Sequence, residues 1–245
     1  MIRATFFWLV VAIHTLTLIV PAILASLLDR SGRLPEKICR YWARVILKLA
    51  TVKVNVEIEE PLREDGTLIY ISNHQSWFDV FALMAYLPTN ARFVAKKSLE
   101  YIPLFGVAMR AVGTVIIDRN KPEQARELLI KGAEKQFGGA RGVIIFPEGT
   151  RSRDGTLGPF KKGAFVLAIQ TGIPLVPVGV SGSRKVLPAG GFKVSSGNIR
   201  IRIGKPIETS GLNLGDKDRL IEKARHRIAE LIESIESVES AHAAA

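Results

Sequence analysis

The chain is poor in the residues from which disulfides and metal sites are built. Its 245 residues include one cysteine, Cys39, which excludes a disulfide framework and any cysteine-based zinc site. The four histidines, His14, His74, His226 and His242, lie far apart, with no HExxH and no paired ligand spacing. A GxxxxGK phosphate loop is missing, and the stretch around Ser181, GVSGS, lacks the second glycine of a nucleophile elbow. Acidic residues are also short, 23 Asp and Glu against 34 Lys and Arg, for a net charge of +11. That balance suits an anionic partner: nucleic acid, an anionic membrane surface or a phosphorylated substrate. Nucleic-acid binding would want basic residues interleaved with exposed aromatics, or a known module. Here much of the excess lies beside apolar helices, so nucleic acid is not expected as a partner. A mean hydropathy of +0.19 is high for a basic soluble chain and favours a membrane surface instead.

The longest stretch without charge is Ala4 to Leu28, 25 residues with no Asp, Glu, Lys or Arg. About 20 apolar residues cross a hydrocarbon core, and the run is too long, with a basic flank, for a cleaved signal. Pro21 can kink it. It reads as a spanning helix or as one arm of an anchor that dips in from one face; the second is favoured. The next segment predicts a helix opening near Pro35, with Arg40, Arg44 and Lys48 on one face and Ile38, Trp42, Val45, Ile46 and Leu49 on the other. That is the pattern of an interfacial helix facing anionic membrane lipids. The positive-inside bias puts it on the cytoplasmic face of the cell inner membrane. A two-helix membrane anchor is thus expected at residues 1–50, and a cytoplasmic domain at 51–245.

That domain alternates strand-like and helix-like stretches. Strands are expected at 52–58, 68–72, 92–95, 113–117, 143–146, 175–180 and 199–203. Helices are expected at 79–87, 98–111, 122–137, 161–171 and 214–238, with a frayed tail beyond. The alternation argues an α/β fold with a mixed, mostly parallel sheet flanked by helices.

Two stretches carry chemistry. In Ser72-Asn73-His74-Gln75-Ser76-Trp77-Phe78-Asp79 a strand runs into a histidine with an aspartate five residues on. In a straight helix those side chains diverge by about 140°. They meet if His74 occupies the strand-to-helix turn and Asp79 reaches back, holding Nδ1–H and leaving Nε2 as a base. No built-in nucleophile is needed if the substrate brings a hydroxyl. The alternative is a helix-capping His with an unrelated Asp. In Phe146-Pro147-Glu148-Gly149-Thr150-Arg151-Ser152 a buried strand ends in a tight turn, where ligands bind open α/β sheets. Arg151 can fork onto a phosphate, with Thr150 and Ser152 adding donors. Glu148 would orient an Arg or a substrate hydroxyl. A purely structural turn is the alternative.

NHxxxxD followed about seventy residues later by FPEGTRS resembles the glycerolipid acyltransferases, among them the 1-acylglycerol-3-phosphate and glycerol-3-phosphate enzymes. Gly113–Arg119 (GTVIIDR) and Ile173–Val178 (IPLVPV) match that family's other two blocks, in order. The resemblance covers about residues 65–205. It implies acyl transfer from an acyl-carrier-protein or coenzyme A thioester to the sn-2 hydroxyl of lysophosphatidic acid. His74 is then the general base and Asp79 its orienting group, and the resemblance implies no metal and no bound cofactor. The resemblance further implies that Arg119 and Arg151 grip the phosphate, joined by Lys96 or Lys97, and that Glu148, Gly149 and Thr150 shape the glycerol site. Backbone N–H groups at the start of the helix after His74 would stabilise the oxyanion. Phe78, Leu104, Phe105 and Val107 are candidates for an acyl groove or for the core. Rival readings are a relative using glycerol-3-phosphate or another lysolipid such as a lyso-ornithine lipid, and a non-catalytic basic membrane-surface protein.

Overall fold

In the computed structural model, residues 1–29, 31–63, 67–118, 123–124, 127 and 142–244 are described. Seven strands, β1 (Val52–Ile58), β2 (Leu68–Ser72), β3 (Ala91–Lys96), β4 (Val115–Ile117), β5 (Gly142–Ile145), β6 (Leu175–Ser181) and β7 (Gly197–Ile203), form one sheet. Their order is β1-β7-β6-β2-β5-β3-β4. Every neighbouring pair is parallel except β6 with β7. The helices are α1 (Ile2–Leu28), α2 (Arg33–Leu49), α3 (Trp77–Tyr86), α4 (Phe105–Ala111), α5 (Gly163–Thr171), α6 (Ser183–Val186) and α7 (Lys217–Ala244), with 3-10 turns at Lys97–Tyr101 and Leu214–Asp216. The expected mixed, mostly parallel α/β sheet is the architecture found.

Strand β2 shows why. All five of its residues are buried, and successive side chains point to opposite faces. Leu68 and Tyr70 pack with Ala43, Ile46 and Leu47 of α2 and Phe78, Ala82 and Leu83 of α3. Ile69 and Ile71 pack with Phe165 and Leu167 of α5 and Leu220, Ala224 and Ile228 of α7. An uninterrupted apolar run is what a strand covered on both faces requires.

Three expectations need correction. First, one N-terminal helix, not two, is long and apolar enough to cross a membrane, and it is α1. Helix α2 docks on the domain. Ile46 and Leu47 are fully buried, and burying two such side chains is worth about 3–6 kcal/mol, so α2 belongs to the core. Two of its arginines also bond to the domain. Arg40 donates to the Ala85 and Thr89 carbonyls and pairs with Glu36, while Arg44 donates to the Ala85 carbonyl. The last turn of α3 leaves carbonyls without helical partners, and the two guanidinium forks supply donors. Second, the helix expected over 98–111 is broken at Pro103–Leu104 into a 3-10 turn and α4. Third, α7 continues to Ala244 instead of fraying after Val238. The helix expected at 122–137 lies almost wholly outside the described residues.

Candidate active site

His74 sits in the turn between β2 and α3, at the carboxyl end of a central strand. The turn is tied down on every side. Asn73 pairs with β6 as a strand residue would: its Nδ2 donates to the Val180 carbonyl and its Oδ1 accepts from the Val180 N–H, both at 2.8 Å. Ser76 caps α3, accepting from the Phe78 N–H and donating to the Leu187 carbonyl. Asp79 closes the capping box from the third helical position.

The capping carboxylate is also the histidine's partner. Asp79 is fully buried. Its Oδ2 lies 2.9 Å from His74 Nδ1 and accepts from the Gln75 and Ser76 N–H groups at 2.7 and 2.8 Å. A carboxylate held by two amides fixes the Nδ1–H tautomer and leaves Nε2 with its lone pair. The imidazole stacks on Phe146, with centroids 4.0 Å apart.

The Glu148 turn packs against the same residue. Glu148 is buried; Oε1 accepts from the His74 N–H at 2.7 Å and Oε2 from the Gly158 N–H at 3.1 Å. Desolvation raises its pKa above the usual carboxylate range, against the lowering effect of those two N–H donors. The Ser152 N–H donates to the His74 carbonyl at 2.8 Å. Both main-chain groups of His74 are thus gripped by the FPEGTRS loop. Gly149 turns that loop at φ +71°, a conformation that favours glycine.

A cavity of about 820 Å³ opens from this corner. His74, Trp77, Phe146, Gly149, Thr150 and Arg151 line one part of it, and Lys96 reaches it as well. The rest runs between α2, α3, β3 and α4 to Thr15, Ile19 and Ala22 of α1, past Cys39 and Trp42. Arg151 stacks over Trp77, with Cζ 5.0 Å from the ring centroid. A second hollow of about 900 Å³, between the first turns of α1 and residues 193–196, contains none of these side chains.

The structure therefore brings together His74, Asp79, Glu148, Gly149, Thr150, Arg151 and Lys96. Lys97 is exposed at the start of the 3-10 turn and off the cavity wall. Arg119 lies outside the described residues. Phe105 lines the cavity, Phe78 is core, and Leu104 and Val107 are exposed and off its wall. The Gln75, Ser76 and Phe78 N–H groups are already engaged by Asp79 and Ser76, so the first turn of α3 has few amides left for an oxyanion. Sequence reasoning missed Trp77, Phe146 and the α1 side chains of the cavity. The adjacency of Trp77 and Phe146 to the two motifs was the available signal. Among the described residues, no group of three or more His, Cys, Asp or Glu is placed to hold a metal ion.

An imidazole oriented by a buried carboxylate, at the end of a largely apolar cavity with a guanidinium on its wall, is an arrangement that can move a proton at a hydroxyl and offer a cation to an anionic group. The Acyltransferase family model matches residues 53–181, and the chain belongs to that family. It is 36% identical over 94% of its length to a chloroplastic 1-acyl-sn-glycerol-3-phosphate acyltransferase of Brassica napus, of which the match covers 66%, just under two thirds. It is 35% identical over 89% of its length to the 1-acyl-sn-glycerol-3-phosphate acyltransferase of Saccharomyces cerevisiae, covering 72% of that protein. The crystal structure of a 1-acyl-sn-glycerophosphate acyltransferase from Thermotoga maritima shares the fold, with a TM-score of 0.82 at 24% identity over 96% of this chain and 97% of that one.

Proposed function

We propose that the protein transfers a fatty acyl group from an acyl-carrier-protein or coenzyme A thioester to the sn-2 hydroxyl of lysophosphatidic acid, forming phosphatidic acid for phospholipid synthesis. The observation that carries this reading is the His74 Nδ1–Asp79 Oδ2 bond at the mouth of a cavity that runs to the apolar α1. The relatives named for this activity support it. Nε2 takes the hydroxyl proton as the oxygen attacks the thioester carbonyl carbon. The tetrahedral intermediate collapses, the C–S bond breaks, and the thiolate recovers the proton from Nε2. Asp79 holds the ring throughout and stabilises its cation. Glu148 acts through the His74 main chain. Arg151, with Arg119 and Lys96, takes the phosphate, and Gly149 and Thr150 bound the glycerol site.

The same reading places α1 in the bilayer, on the cytoplasmic face of the inner membrane, against anionic lipids. The helix touches the domain along much of its length: Trp8 donates to the Phe192 carbonyl, Trp42 donates to Thr15, and Ile19 and Ala22 line the cavity. A helix that crossed the bilayer could not keep those contacts with a cytoplasmic domain, so α1 enters from one face. The anchor proposed for residues 1–50 then consists of α1 in lipid and α2 as a strut packed on the sheet. Incubating the purified full chain with lysophosphatidic acid and each thioester, with mass spectrometry of the product, tests the assignment. Phosphatidic acid is expected. Product only from glycerol-3-phosphate, or only from a phosphate-free lysolipid, would reassign the acceptor.

A further inference from the structure

Between β3 and α4 the chain makes an elbow that the chemistry above does not use. Tyr101, Ile102, Leu104 and Val107 are 72, 47, 57 and 55% exposed, four large apolar side chains within seven residues. The elbow is held in shape. Leu104 has φ +62° and ψ −42°, and the Phe105 N–H donates to the Pro103 carbonyl at 2.7 Å, closing a three-residue γ-turn. Such a backbone is strained for a side-chain-bearing residue and persists only where its surroundings enforce it. Gly106 presses on the Glu100 carbonyl, which leaves no room for a Cβ, locking the two limbs together.

Its surroundings point to one occupant. Helix α4 packs against α1, so the elbow lies beside a helix whose Phe6, Leu9, Ile13, Leu16, Val20 and Leu24 are uncovered. Together these exceed the scattered apolar exposure normal for a protein surface. Exposed Lys96 and Lys97 lead into the elbow, the residue type that meets anionic headgroups. Ile102 and Phe105 line the cavity that contains His74, while Leu104 and Val107 turn outward. We infer that residues 101–107 form a second membrane-inserting element, a lip that enters the lipid interface beside α1 and lets a lysolipid pass sideways from the bilayer into the cavity. This rests on the reading that α1 lies in the membrane.

The test uses the full chain carrying Cys39→Ser, with a single nitroxide at Leu104→Cys, at Leu16→Cys on α1, or at exposed Gln170→Cys on α5 as the aqueous reference. Each is reconstituted in phosphatidylcholine–phosphatidylglycerol vesicles. Collisions with a water-soluble nickel chelate should fall about tenfold at 104 and at 16 relative to 170, as for groups that leave water for an apolar phase. A water-exposed 104 with a buried 16 overturns the lip and leaves the α1 reading intact. Both exposed overturns both. Dipolar broadening between labels at 104 would assign the elbow to a second copy instead. In parallel, Leu104→Asp with Val107→Asp, both off the cavity wall, should raise KM severalfold for vesicle-borne lysolipid and leave transfer to a short-chain, dissolved lysolipid unchanged. Equal KM for both presentations would also overturn the inference.

Discussion

The corner around His74 and the surface formed by α1 and the elbow are opposites. At the corner, main-chain and side-chain groups find partners within the protein: Asn73 with Val180, Glu148 with the His74 N–H, Ser152 with the His74 carbonyl, and Asp79 with three donors. On the other surface, large apolar side chains face outward with nothing of the protein over them. The first region is bonded almost wholly within the protein, with Asp79 Oδ1 the buried oxygen left without a partner, and a base can be held there to the small tolerance that proton transfer needs. The second, on the proposed reading, is completed by lipid. The difference separates two kinds of substitution, those that stop chemistry and those that change where the enzyme sits.

His74→Ala breaks the first region at its centre. Turnover should fall about 10²–10⁴-fold while circular dichroism and lipid binding stay as they are. More than a tenth of wild-type turnover would remove the base assignment. Arg151→Ala should come next. The loss of one charge-assisted contact is worth about 1.5–3 kcal/mol, roughly 10–150-fold, and it should appear in the KM for the phosphorylated acceptor and not for the donor. Arg151→Lys should recover part of it, because an ammonium lacks the planar fork. A rise confined to donor KM would move the thioester onto this loop.

Substitutions in α2 sharpen the boundary between the two regions. Arg40→Ala removes the guanidinium donor of the Thr89 carbonyl and one of the two at the Ala85 carbonyl and should cost about 1–3 kcal/mol of stability, read as a lower Tm. Vesicle binding should barely change. Weaker binding with an unaltered Tm would return this helix to the lipid surface. The smallest effect is expected at Glu148. Its folded-state pKa is raised, so the folded chain binds the extra proton, and stability from this group is greatest below the ordinary carboxylate range and declines as pH rises through the raised value. In denaturation series across mildly acidic pH, the wild-type minus Glu148→Gln difference should carry that downward slope. A slope of opposite sign would mean that the two N–H donors outweigh desolvation.

Much of this was legible beforehand, and the limits have physical causes. Strands β1 and β2 fall on the expected residues because period-two alternation and an unbroken apolar run each have one good explanation. The His74–Asp79 contact was one of two readings of the spacing, and a turn at the histidine is the geometry in which five residues bring the side chains together. Helix α2 misled because an apolar stripe opposite arginines looks the same whether it meets lipid or a sheet. The struts on His74 were invisible because their partners are main-chain N–H and carbonyl groups, which any sequence carries. Pro103 did announce the break before α4, but the γ-turn at Leu104 is imposed by packing.

If His74 and Asp79 act as one unit on a lipid hydroxyl, a double-mutant cycle on phosphatidic acid formation will show it. His74→Ala, Asp79→Asn and the double variant would be assayed with lysophosphatidic acid in vesicles under single-turnover conditions. Asp79→Asn alone should be severely impaired and the double variant no slower than His74→Ala, because a carboxylate that works only through the imidazole has nothing to orient once the ring is gone. Losses that multiply would contradict it, showing that Asp79 serves the reaction, or the fold, independently of the histidine it touches.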